Sequence, residues 1–214
     1  MKTRSKALLL TLCAVLLVTA SVLGTMAYLT STDKVENTFT VGKVNITLDE
    51  AKVDTNGKAV EPAERVKKNN YKLLPGHTYT KDPTVTVKAG SEESYIKMTV
   101  TFTKANELDT IFDPTGAKLM EIFKGYDAKN WTYKGNTKDA TANTRTYEFW
   151  YKEAVGALDA DVKLDALFDS ITVPGTITGD DLKNIDGMTI TVNAYAIQAD
   201  GFADAAAAWA AYNG

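Results

Sequence analysis

Histidine occurs once in this chain, at His77, and cysteine once, at Cys13. One imidazole cannot build the zinc helix His-Glu-x-x-His, which needs two on one helical face. Serine is scarce too. Beyond residue 27 only Ser31, Ser91, Ser94 and Ser170 remain, and none sits in a Gly-x-Ser-x-Gly turn or has a recognisable histidine partner. Cys13 lies inside an apolar run and follows Leu12 rather than a small residue, which argues against lipid attachment. The rest of the chain has no thiol and can form neither disulfides nor thiolate metal sites, as suits export by a cell that does not rely on disulfides outside. No catalytic residue, cofactor or metal is expected, and the chain reads as a non-enzyme.

Basic charge is also in short supply. Of 24 Lys+Arg, three (Lys2, Arg4 and Lys6) precede the apolar run, leaving 21 against 27 Asp+Glu, a net charge of −6. Nucleic acid is therefore not an expected partner, because phosphate binding needs a basic face. Long helical patterns, internal repeats and low-complexity tracts are missing as well.

The basic start followed by Ala7–Leu23, "ALLLTLCAVLLVTASVL", reads as a signal peptide. Its length is that of a minimal transmembrane helix, ~17–25 residues, so length leaves cleavage and retention open. Thr25-Met26-Ala27 approximates the small-x-small pattern that a signal peptidase accepts, which predicts a cut between Ala27 and Tyr28. No aromatic belt or basic stop-transfer cluster follows Tyr28, as a permanent helix would favour. An uncleaved single-pass anchor is the alternative. Residues 1–27 are thus expected as leader, with membrane contact only before cleavage, and 28–214 as one domain.

Beyond the leader, alternation with a period of two dominates. In "SYIKMTVTFTK", Ile96, Met98, Val100 and Phe102 point one way and Lys97, Thr99, Thr101 and Thr103 the other, as a strand with one buried face requires. "GMTITVNAYAI" repeats the pattern from Met188 to Ala196. Shorter strands are expected at 38–48, 84–88, 131–134, 144–152 and 169–173, about seven in all, with an Asn56-Gly57 primed hairpin turn. Helices are expected only at 117–124 and 203–212. The pattern predicts an all-β, two-sheet antiparallel sandwich, jelly-roll-like or immunoglobulin-like, with one or two short helices.

Asp159, Asp161 and Asp165, and Asp180, Asp181 and Asp186, could offer oxygens to calcium, but neither group has the spacing of a twelve-residue calcium loop. "RTYEFWYK" places Tyr147, Phe149 and Tyr151 on one face and Trp150 on the other. That is either a sugar-stacking platform or a strand packed on both sides. His77, following Leu74-Pro75-Gly76, reads as a dispensable residue of a type II turn.

Three stretches, "GTMAYLTSTDKVENTFTVGKVNITLDE", "LLPGHTYTKDPTVTVKAGSEESYIKM" and "AYAIQADGFADAAAAWAAY", resemble the TasA/camelysin family of secreted surface and biofilm-matrix proteins. The resemblance implies a leader cut by a SipW-type signal peptidase, a jelly-roll fold, and a location outside the cell in matrix or on the surface. It also implies self-assembly into fibres by donation of an N-terminal strand, with other matrix components as further partners. Metalloprotease activity, which the camelysin name carries, finds no residues here beyond His77. In the segment 28–40, extended and Thr-rich with no turn before Gly42, alternation places Val35, Asn37, Phe39 and Val41 on one face. A neighbour's sheet edge could accept such a strand; alternatively it is the first strand of its own sandwich. A surface module that binds glycans is the competing function.

Overall fold

The computed structural model describes residues 6, 8, 10–17 and 42–212. It divides into two compact units, Met1–Val41 and Gly42–Gly214. In the first, residues 10–17 are helical and Leu10, Leu12, Leu16 and Leu17 are exposed. No helix among the described residues is long and apolar enough to cross a membrane.

The second unit is mostly β, in several antiparallel sheets. Its largest sheet has the order β12-β5-β8-β7, from β5 (Ser91–Thr103), β7 (Trp131–Asp139), β8 (Thr144–Tyr151) and β12 (Ile190–Gln198). β9 (Val155–Ala157) pairs with the start of β5. These are the strands whose apolar residues alternate most cleanly. β5 and β12 pair without a break from Ile190↔Phe102 to Gln198↔Ser94. A second sheet runs β10-β4-β1-β2, from β1 (Ile46–Ala51), β2 (Arg65–Val66), β4 (Thr84–Val87) and β10 (Val162–Lys163). A third, small sheet of β3 (Thr78–Thr80), β11 (Ser170–Thr172) and β6 (Phe123–Lys124) adds to the two expected.

One apolar cluster joins all three sheets. Val85 and Val87 from β4, Ile96, Met98, Val100 and Phe102 from β5, Tyr147 and Phe149 from β8, and Phe123 and Ile171 from the small sheet pack together. Phe123 stacks on Phe168 at 4.5 Å and Phe102 meets Tyr147 edge-on at 5.8 Å, favourable ring arrangements within the core.

The described residues of the second unit hold four helices, against the one or two expected: α1 (Ala105–Ile111), α2 (Ala117–Met120), α3 (Gly179–Asn184) and α4 (Ala205–Tyr212). The expected helix 117–124 stops at Met120, because β6 claims Phe123 and Lys124 for the small sheet. α3 starts from a capping box in which Thr178 and Asp181 bond each other's backbone N–H. The Asn56-Gly57 turn is not primed. Gly57 alone has a positive φ, +75°, and the closing bond runs from Asp54 N–H to Lys58 O, so the loop has one residue more than a two-residue hairpin. A Cβ on Gly57 would lie 2.6 Å from Tyr79 Cα, so both angle and space require glycine. Gly76, at φ +73° after Pro75, with His77 N–H bonding Leu74 O, has the third-position angle of the expected type II turn.

Candidate assembly interface

The inward-facing rows of this unit are sealed unequally. On β5, β8 and β4 they are fully buried: Ile96, Met98, Val100, Phe102, Tyr147, Phe149, Val85 and Val87 are all at 0% exposure. On β12 the equivalent row, Ile190, Val192, Ala194 and Ala196, is only half-buried, and so are Ile46 and Leu48 on β1. The backbone explains the difference. β12 pairs with β5 on one side and has no strand on the other among the described residues. β1 pairs with β4 over Ile46–Asp49, while β2 reaches it only at Glu50 and Ala51. Among the described residues, two strand edges thus leave apolar side chains and part of their N–H and C=O groups without a strand neighbour, the arrangement that accepts an added strand.

The chain enters β1 through Gly42–Asn45, which is fixed to the start of β5. Glu92 N–H donates to Lys43 O at 2.9 Å, Lys88 N–H to Asn45 O at 2.9 Å, and Asn45 N–H to Ser91 Oγ at 3.1 Å. Gly42 also lines a cleft of about 680 Å³ with Glu92, Glu93, Tyr95 and Gln198. The expected cleavage residues Thr25, Ala27 and Tyr28, and the expected donor residues Val35, Asn37, Phe39 and Val41, lie outside the described residues.

The aromatic strand β8 is packed on both faces. Tyr147 and Phe149 are core, and Tyr151 meets the buried Trp131 edge-on at 5.0 Å. On the outer face Trp150 lies 6.4 Å from Trp209 of α4, under Lys134, and donates from Nε1 to Glu148 Oε1 at 2.5 Å. α4 seats Ala208 and Trp209 on this face and buries Lys97, whose Nζ lies 4.5 Å from the Trp209 ring. Of the four aromatics, only Trp150 is free of the core, and it is already partnered.

Four of the six acids in the two clusters are spent singly. Asp161 pairs with Lys88 and accepts from Ala89 N–H, Asp165 accepts from Asn130, Asp180 pairs with Lys183, and Asp181 caps α3. No group of three or more metal-ligating side chains occurs among the described residues. His77 is half-buried rather than loose at the surface: its Nε2 is 2.7 Å from Asn56 O and its ring lies on Tyr79.

Sequence reasoning missed the buried charges. Lys81 and Glu50 pair at 2.5 Å below 9% exposure, and Arg145, at 3%, is held by Asp109, Asn136 and the carbonyls of Pro114 and Thr115. A lysine or arginine on an alternating strand reads as solvent-facing, and nothing local signals the loop or helix that covers it. Comparison with protein-family models, curated proteins and solved structures finds no match for this chain.

Proposed function

We propose that this chain is an exported structural subunit, cut after Ala27 by a SipW-type peptidase, that assembles with copies of itself into extracellular fibres. In this reading residues 28–40 of one copy, with Val41 at their end, pair with the open edges of β12 and β1 in the next. The observation that carries it is the half-buried row Ile190, Val192, Ala194 and Ala196 beside Ile46 and Leu48, next to strands whose equivalent residues are sealed. A nine-residue edge strand could bond a segment as long as the one bearing Val35, Asn37, Phe39 and Val41, and the larger of these side chains suit a row in which the alanines leave space. In this reading the fold is a jelly-roll-like sandwich that the donated strand completes, and the subunit is structural rather than catalytic. Fibres form outside the cell, in matrix or at its surface, with other matrix components as secondary partners.

The test deletes residues 28–37 from the mature protein. The expected product keeps its β circular dichroism and stays monomeric by light scattering, while the intact chain assembles as concentration rises. An unfolded product would identify the segment as the chain's own first strand, and fibres from the truncated protein would sink strand donation.

A further inference from the structure

A lysine, an asparagine and a glutamate from three separate segments meet at one point under the second sheet. Glu50 stands in β1, Lys81 follows β3, and Asn69 lies in the loop between β2 and β3. Glu50 and Lys81 are 8% and 5% exposed. Lys81 Nζ donates to Glu50 Oε2 at 2.5 Å, and Asn69 Nδ2 donates to Glu50 Oε1 at 2.9 Å and to Ala51 O at 2.8 Å. The Asn69 carbonyl, Oδ1, accepts the backbone N–H of Val53 at 3.0 Å. Tyr71 is half-buried beside them, its hydroxyl donating to Thr80 O, and burial together with the Glu50 charge pushes its phenol up.

An ion pair that only stabilised the fold would need Lys81 and Glu50. It would not need a carboxamide on the second carboxylate oxygen, nor a donor on the oxygen of that carboxamide. A nucleophilic amine, a proton carrier in contact with both nitrogens, and a polarised carbonyl are the parts of an acyl transfer. We propose that Lys81 and Asn69 are the partners of an intramolecular isopeptide bond, formed with Glu50 as proton carrier.

Glu50 Oε2 takes a proton from Nζ, and the freed lone pair attacks Cγ of Asn69. As the Nζ–Cγ bond forms, the carbonyl electron pair moves to Oδ1, where the Val53 N–H meets the developing charge. Protonated Glu50 then gives its proton to Nδ2. The electrons return from Oδ1, the Cγ–Nδ2 bond breaks, and ammonia departs. Nζ still carries one surplus proton, which leaves with the ammonia as ammonium. An ammonium side chain and a carboxamide thus become a secondary amide and an ammonium ion, with atoms and charge balanced and no oxidant or cofactor consumed. The bond would tie the loop before β3 to the start of β4, in the sheet that carries the open β1 edge.

The test is mass spectrometry of the full chain, purified and incubated for days at neutral pH. The expected mass is lower by one ammonia than that of the sequence from the N-terminus found. A tryptic digest should contain peptide 69–72 joined to peptide 73–88, with no cleavage after Lys81. Glu50→Gln, which keeps the shape and removes the proton carrier, should show the full mass and release peptides 69–72, 73–81 and 82–88 separately, with its fold checked by circular dichroism. A wild-type chain that stays unlinked would overturn the proposal. So would ammonia loss located at Asn56-Gly57, where an asparagine–glycine pair can close to a succinimide without joining two peptides. A bond that persists in folded Glu50→Gln would remove Glu50 from the chemistry.

Discussion

β8 and β12 both pair with β5, carry the same alternation, and still bury their inward rows to different depths. On the β8 side the row continues to Trp131 of β7, and Tyr147 is closed over by the loop at Gly116, whose carbonyl accepts the tyrosine hydroxyl at 2.8 Å. Arg145 at the outer end of β8 gathers that same loop through the Pro114 and Thr115 carbonyls. On the β12 side no equivalent strand follows among the described residues, and Ile190, Val192, Ala194 and Ala196 stay half-buried. Alternation therefore specifies which face of a strand is apolar. What covers that face is decided by segments far away in sequence, or by another molecule.

The comparison breaks most readily in the core. Phe149→Ala removes a ring at 0% exposure that touches Tyr126 and Tyr133, and should cost about 3–5 kcal/mol in urea denaturation. Val192→Ala on the half-buried row should cost about 1 kcal/mol or less in the monomer, because less of its area leaves water on folding. Equal losses at the two positions would mean that the two flanks are equally sealed.

Next in size is Arg145→Leu. The guanidinium donates from Nη2 to Asp109 Oδ1 at 2.7 Å and Pro114 O at 2.9 Å, and from Nη1 to Thr115 O at 3.1 Å and to Asn136 Oδ1. Removing it leaves Asp109 with Lys138, takes the guanidinium donor from Pro114 O, and leaves Thr115 O with Asn136 Nδ2 at 3.2 Å. The expected loss is about 2–4 kcal/mol, since breaking a buried pair strands the remaining charge. The same change should leave the proposed assembly through the β12 edge intact once the protein is folded, which light scattering reads separately from denaturation.

These two flanks were not equally legible beforehand. β4, β5, β8 and β11 could be placed to within a few residues because their apolar positions alternate against threonine and charge, and the aromatic run at 144–152 was readable as a strand packed on both faces. The open row on β12 was not, since its residues alternate just as those of β5 do and pairing partners leave no local mark. Glu50, Asn69 and Lys81 are spread across three segments and only the fold unites them. α3 was readable in principle from Thr178 and Asp181, the two ends of a capping box. α1 offered less, because it begins from Lys104 at positive φ without a side-chain cap, whereas the start of α2 was legible in the apolar spacing of 117–124.

The smallest expected effect sharpens the sealed flank through pH. Asp113 organises the turn whose Pro114 and Thr115 carbonyls hold Arg145: its carboxylate accepts the Thr115 hydroxyl, the Thr115 N–H at 2.9 Å and the Lys118 N–H at 2.7 Å. The Thr115 hydroxyl above all, and the backbone donors after it, hold this carboxyl down at about 2. An unfolded aspartate titrates near ~3.9. The folded value is therefore the lower one, so the unfolded chain binds the proton more readily. The stability that Asp113 contributes is complete above about pH 4 and fades as pH falls towards 2. Asp113→Asn, which cannot ionise, should flatten the fall of denaturation midpoint with acid in that window and leave the neutral-pH midpoint only slightly lower, because the group is solvent-exposed and its bonds are screened. A carboxyl that titrates near the ordinary aspartate value by NMR would show the turn to be loose in solution, and Arg145 would then be anchored by Asp109 and Asn136 without the help of this loop.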